Sequence, residues 1–197
     1  MRTLEEIIND IRQLEQELLQ ELRRKQEEYS YIIEGKRVRF AEETRKYHKT
    51  LALTLKAYFA DAKPMHILTA PFIYSCILPA LAMDIVVSVY QAICFRVYGI
   101  PRVERDDYIV IDRNSLQYLN AIEKLNCIYC GYFNGLIAYV QEIAARTEQY
   151  WCPIKHARKL ATIHSRYHKF IEYGDSDNYQ GRLEELRGDF EDLRRES

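Results

Sequence analysis

The chain has 197 residues, of which 29% are charged and 48% hydrophobic, and its net charge at neutral pH is -1. That length serves one good core or two small modules, and the near-neutral balance argues against a nucleic-acid partner. Met1-Arg2-Thr3-Leu4-Glu5-Glu6 opens a charged helix, not the apolar core of a secretory leader, so export is not expected.

From Thr3 to about Tyr31, Leu4, Ile7, Ile11, Leu14 and Leu18 recur at alternating steps of three and four between glutamates, glutamines and arginines. This is the pattern of an amphipathic or coiled-coil helix. Gly35 marks a turn or kink, and Lys36 to Ala62 reads as a second helix with Val38, Tyr47, Leu51 and Phe59 among its apolar residues. Residues 1–63 thus form a candidate antiparallel helical hairpin. It serves either as an arm for a protein partner or self-association, or as an intramolecular bundle; a heptad run of barely three repeats favours the bundle.

Residues 64–98 carry the apolar segment. Ile67 to Phe95 holds a single charge, Asp84, over about 29 residues, long enough to cross a bilayer. Pro71 and Pro79 interrupt it, and a break near Pro79 leaves pieces of about 12 and 16 residues, each short of a span. The alternatives are a membrane-associated helix pair entering and leaving by one face, a single tilted span, or a buried helix pair in a soluble core. Basic residues on both flanks, Lys36, Arg37, Arg39, Arg45, Lys46, Lys49, Lys56 and Lys63 before it and Arg96, Arg102 and Arg105 after it, favour the first, on the cytoplasmic face of a membrane. Asp84 is either functional at depth, at the headgroup level, or paired with an arginine. Tyr58, Tyr74, Tyr90, Tyr98, Tyr129, Tyr132, Tyr139 and Tyr150 suit a membrane interface or a small core equally.

Residues 99–174 form a candidate cysteine and histidine module. Val97-Tyr98-Gly99-Ile100-Pro101 makes a turn, and Tyr108-Ile109-Val110-Ile111 reads as a short strand or hairpin. Asn114 or Ser115 caps a helix through Leu125, Gly135 to Tyr150 is a second, and Pro153 to about Tyr173 a third. Cys127 and Cys130 make a Cys-x-x-Cys pair, and Cys152 and His156 a Cys-x-x-x-His pair. Together they offer the four ligands of a closed Cys3His site for zinc, with iron as the alternative ion. A thiol-disulfide couple between Cys127 and Cys130, or plain packing, are the other readings. A helix of about 16 residues between the pairs is roughly 24 Å long, which opposes their meeting unless the chain folds back at its ends. His164 and His168 share a helical face but read as solvated surface, and Glu142 with Arg146 as an i,i+4 ion pair. No Glu-x-x-His pair, Gly-rich phosphate loop, G-x-S-x-G elbow or Rossmann fingerprint is present, which disfavours di-iron, nucleotide and serine-hydrolase chemistry. Residues 175–197 are a polar helix with Leu183, Leu186, Phe190 and Leu193 at three-four spacing, expected to dock on the N-terminal hairpin.

Cys127-Ile-Tyr-Cys130-Gly131-Tyr132 resembles one knuckle of a rubredoxin over those six residues. Tyr108-Ile-Val-Ile-Asp-Arg, the run Tyr118 to Tyr132 and the run Ala144 to Ala157, with Leu68-Thr-Ala-Pro-Phe-Ile-Tyr74 and Tyr98-Gly-Ile-Pro101, resemble a family of uncharacterised bacterial proteins over most of residues 66–160. That resemblance implies a bacterial, membrane-associated protein and carries no activity. The expectation is therefore a mainly α protein at the bacterial inner membrane, more a scaffold or interaction protein than an enzyme, with zinc stapling its distal helices. The alternative is an iron-thiolate electron-transfer protein using the same four ligands, screened by Tyr129, Tyr132 and Trp151.

Overall fold

A computed structural model describes residues 4–194, except the side chains of residues 4–8, 11, 12 and 194. The chain is mainly helical and divides into two compact units, Met1–Asp61 with Asp112–Cys127 and Ala62–Ile111 with Ile128–Ser197.

In the first unit, α1 (Leu4–Glu28) is the expected amphipathic helix. Leu14, Leu18, Leu19 and Leu22 are exposed on it, whereas Leu4, Ile7 and Ile11 of the heptad pattern lie outside the described side chains. The expected second helix from Lys36 does not form at its start. Instead, β1 (Tyr31–Glu34) and β2 (Arg37–Phe40) make an antiparallel hairpin with Glu34 opposite Arg37. The reason is local: β-branched and aromatic residues flank Gly35, whose φ of 60° is the left-handed conformation that a two-residue hairpin turn requires. Helix then resumes as α2 (Glu42–Leu51) and α3 (Leu55–Asp61). Ala52 is extended between them, and the Thr54 hydroxyl caps α3 by accepting the Ala57 N–H at 3.3 Å. Phe40 and His48 pack edge to face with centroids 5.2 Å apart, and His48 and Tyr118 at 5.1 Å, giving this unit a small, partly exposed aromatic cluster.

In the second unit, α4 (Pro64–Ser75) and α5 (Ile77–Tyr90) lead through a π-helical turn, Gln91–Phe95, into α6 (Arg96–Tyr98). The chain does not double back at Pro79. That proline sits in the first turn of α5, where its missing N–H has no helical partner to lose. Cys76, between the two helices, keeps right-handed helical dihedrals of -64° and -14°, so Pro64–Tyr98 runs on as 35 helical residues. Gly99, with φ 69°, ends this run. Residues 100–111 then return along it, largely extended apart from the single turn α7 (Arg105–Tyr108). The strand expected at Tyr108–Ile111 is not formed; the backbone of this segment pairs with side chains instead. The Gln91 carboxamide accepts the Val103 N–H at 2.9 Å and donates to the Val103 carbonyl at 3.2 Å.

The long helix α8 (Ala121–Trp151) replaces the two shorter helices expected on either side of Cys127 and Cys130. It starts at Asn120, not at Asn114 or Ser115, because Asn120 and Glu123 form a reciprocal capping box. Asn120 Oδ1 accepts from Ile122 and Glu123 N–H at 2.9 and 3.0 Å, and Glu123 Oε2 accepts the Asn120 N–H at 2.8 Å. Gly131 and Gly135 do not stop it, since a glycine inside a helix costs only about 1 kcal/mol. Beyond Trp151 the expected third helix is also absent. Ile171 N–H donates to the Pro153 carbonyl and Lys155 N–H to the Ile171 carbonyl, each at 2.8 Å, so the chain makes a bridge rather than a helical turn. The polar tail forms α9 (Ser176–Gly188), capped by Asp175, and α10 (Glu191–Arg194). Leu183, Leu186 and Phe190 are buried, and Gln149 of α8 donates to the Leu186 and Asp189 carbonyls at 2.9 and 2.7 Å, so the tail docks on the end of α8. Phe95, Ile100, Val103, Ile109, Leu136, Tyr139, Ile143 and Phe190 make the main core.

Candidate functional site

The continuous α8 separates the two halves of the expected Cys3His site. Cys127 and Cys130 lie one turn apart within the helix, and Cys152 follows its last residue. Cys130 and Cys152 are 22 residues apart along one helix, about 33 Å at 1.5 Å per residue, against the roughly 4 Å that separates two ligands of one zinc ion. Among the described residues no three His, Cys, Asp or Glu side chains gather to hold an ion. All five cysteines are free thiols. Loss of solvent around the sulfur, with Glu148 nearby, holds the Cys152 thiol above its ordinary range. His156 is exposed, and its ring stacks on Tyr167 at 6.4 Å while its backbone N–H donates to the Tyr167 hydroxyl at 2.9 Å. His164 and His168 share no helix: His164 Nδ1 accepts the Arg166 N–H at 3.2 Å with Glu148 3.1 Å from its Nε2, and His168 is exposed in a 3-10 turn. The same separation applies to the iron alternative, which uses the same four ligands.

The feature that the fold does assemble is the helical run Pro64–Tyr98. It is long and apolar enough to cross a membrane, and only 6% of its most apolar window is buried within the protein. Its residues are arranged in reverse of a soluble surface helix, which buries apolar groups and exposes polar ones. Asp84, Ser88 and Gln91 turn inward between Ala80 and Phe95, whereas Phe72, Leu78, Ile85, Val86, Ile93 and Val97 face outward, Phe72 and Val97 at 74% exposure. The exposed hydroxyls are satisfied by the helix itself: Thr69 donates to the Met65 carbonyl at 3.0 Å and Ser75 to that of Phe72 at 2.7 Å.

The inward stripe is a closed hydrogen-bonded seam against α8 and the returning segment. Asp84 accepts two bonds from Arg105, Nε to Oδ1 at 3.2 Å and Nη2 to Oδ2 at 2.7 Å. The Tyr132 hydroxyl donates to Oδ2 at 3.0 Å and Ser88 to Oδ1 at 3.3 Å. Asp84 thus has the arginine partner that was one of its expected roles. Gln91 reaches the Tyr139 hydroxyl as well as Val103, and Tyr90 and Thr147 hydroxyls meet at 3.0 Å. Asp84 raises the Arg105 guanidinium further above its ordinary range, and burial, then the bond to Asp84, raises the Tyr132 phenol. Gly135 on α8 lets the returning segment close in: a Cβ there would lie 2.5 Å from the Tyr108 carbonyl oxygen and 2.8 Å from Ile109 Cα. Further along α8, Arg146 donates to Glu142 at 2.8 Å and to the Pro101 and Arg102 carbonyls at 2.9 and 3.0 Å, and Ser165 donates to Glu142 at 2.7 Å.

Sequence reasoning missed Ser88, Gln91, Arg105, Tyr132 and Tyr139 as members of one site. The available signal was that Asp84, Ser88 and Gln91 stand at i, i+4 and i+7 inside an apolar run, which places the run's polar groups on one face. No family model, curated protein or solved structure matches this chain.

Proposed function

We propose that this chain is a membrane-associated helical scaffold or interaction protein, held at the cytoplasmic face of a bacterial inner membrane by the apolar face of Pro64–Tyr98. The observation that carries it is the reversed helix: every strongly polar side chain from Ile67 to Phe95 is turned inward and partnered, and the outward face is hydrocarbon with its few hydroxyls bonded to their own helix. In water such a face forfeits about 25 cal/mol for each Å² left exposed, while against lipid it forfeits nothing. The exposed leucines of α1, Leu14, Leu18, Leu19 and Leu22, supply a second surface, suited to a partner helix or to self-association.

Membrane fractionation tests it. The full-length protein should sediment with membranes and stay there through an alkaline carbonate wash. Leu78→Lys with Val86→Lys, both exposed and away from the inner seam, should shift it to the soluble fraction, since a lysine at bilayer depth costs about 2.5–3.5 kcal/mol. A wild-type protein that purifies without detergent as a monodisperse monomer overturns the reading.

A further inference from the structure

The end of the apolar run carries a cluster of aromatic rings, and the chain segments that leave it carry positive charge outside the described salt bridges. Tyr98 stacks on Tyr150 at 5.1 Å and meets Trp151 edge to face at 5.3 Å; Trp151 is half exposed, and Val97 more fully so. Rings with one apolar and one polar end collect at the headgroup level of membranes. The chain that leaves Trp151 is free of acid: between Glu148 and Glu172 there is no aspartate or glutamate, against five lysines and arginines. Three of those five are consumed within the protein. Lys155 pairs with Glu172, and Arg166 and Lys169 with Asp192. Arg158 and Lys159 remain, both exposed and in no salt bridge among the described residues. Arg96 and Arg102, at the same end of the apolar helix, are likewise exposed and outside every described salt bridge.

We propose that the loop carrying Arg158 and Lys159, with Arg96 and Arg102 beside the Tyr98–Tyr150–Trp151 cluster, binds the headgroups of anionic phospholipids. The proposal rests on the membrane reading above and adds the lipid class and the residues that select it. The bridge between Ile154 and Ile171 and the Tyr167 hydroxyl on the His156 N–H fix the base of the loop, and its two charges follow Trp151 by seven and eight residues. A basic side chain near an anionic bilayer surface contributes an attraction that salt screens within a Debye length.

The test compares detergent-purified, full-length protein partitioning into vesicles of phosphatidylcholine alone and of phosphatidylcholine with one-third phosphatidylglycerol, at low and high salt. Wild type should prefer the anionic vesicles, most at low salt. Arg158→Gln/Lys159→Gln should weaken anionic binding about 20- to 30-fold, roughly fivefold per charge, and leave neutral binding unchanged. The charge-conserving pair Arg158→Lys/Lys159→Arg should retain the preference. Equal wild-type binding to both vesicles overturns the lipid assignment while the membrane reading stands. A preference that survives in the glutamine variant overturns the placement on this loop. Binding to neither vesicle overturns the membrane reading, and this proposal with it.

Discussion

Two glycines of opposite environment show how single positions carry this fold. A Cβ at Gly135 would run into backbone of the returning segment, which cannot swing aside as a flexible side chain could. Gly135→Ala should therefore lose about 1–3 kcal/mol on thermal or denaturant unfolding, although alanine is the better helix former. Gly181, inside α9, has nothing within 4 Å of such a carbon, so Gly181→Ala should add about 0.5–1 kcal/mol. The buried Glu142–Arg146 pair is coupled in the same sense. Removing either partner leaves the other charge in the interior, at about 3–5 kcal/mol, whereas replacing both by leucine should cost far less than the sum of the single losses. Calorimetry on the four proteins of that cycle measures the coupling; additive losses would show that each residue acts alone.

Among elements, α8 decides the fate of the cysteines. Spacing alone could not reveal that one helix runs through Cys127, Cys130 and Gly131, because a two-residue gap between cysteines fits a metal knuckle and one turn of helix equally well. Asn120 three residues before Glu123 and the absence of any proline between residues 121 and 151 are the signals in the chain that point to one continuous helix. Substituting Cys127 or Cys152 by serine should leave the unfolding free energy within about 0.5 kcal/mol and metal content unchanged by elemental analysis; loss of a bound ion together with stability would restore the metal site. The apolar run was legible in extent and in its single charge. Its continuity was not, because Pro79 breaks a helix in mid-run but is harmless in a first turn, and only the position of Cys76 distinguishes the two. The hairpin at residues 31–40 was hidden for a related reason: Gly35 reads as a turn or kink between two helices, while alternating Tyr31, Ile33, Val38 and Phe40 carry a strand signal.

Across the whole molecule, the acid response follows from a clamp at the C-terminal tail. Arg166, buried, bonds the Gln149 side chain at 2.6 Å, the Asp189 carbonyl at 3.0 Å and both oxygens of Asp192, tying α8, the acid-free loop and α10 together. Arg166, and then Lys169, hold the Asp192 carboxyl well below the usual carboxylate range. Because the folded value is depressed, the contribution of this group to stability is complete above about pH 4 and fades as pH falls toward the folded value. Melting temperature followed from pH 5 down to pH 2 should fall in wild type and fall less steeply in Asp192→Asn, whose stability at neutral pH is already reduced. Equal slopes would assign the acid response to other carboxylates.

The polar seam beneath the apolar run also sets an order of events during synthesis. Apart from the bond between Ser88 and Asp84 within the helix, the partners of Asp84, Ser88 and Gln91 in this seam are Arg105, Val103, Tyr132 and Tyr139, all of which lie downstream. When Tyr98 leaves the ribosome, the helix has a hydrocarbon outer face and a bare polar stripe. About 40 further residues, several seconds of translation at 5–20 residues per second, separate it from Tyr139. A nascent chain arrested before α8 should accordingly engage chaperones or be degraded, while one arrested after Trp151 should have its polar stripe paired and only its apolar face exposed. The carboxylate and carboxamide that hold the finished protein together thus keep its most apolar segment waiting until the rest of its own unit has been made.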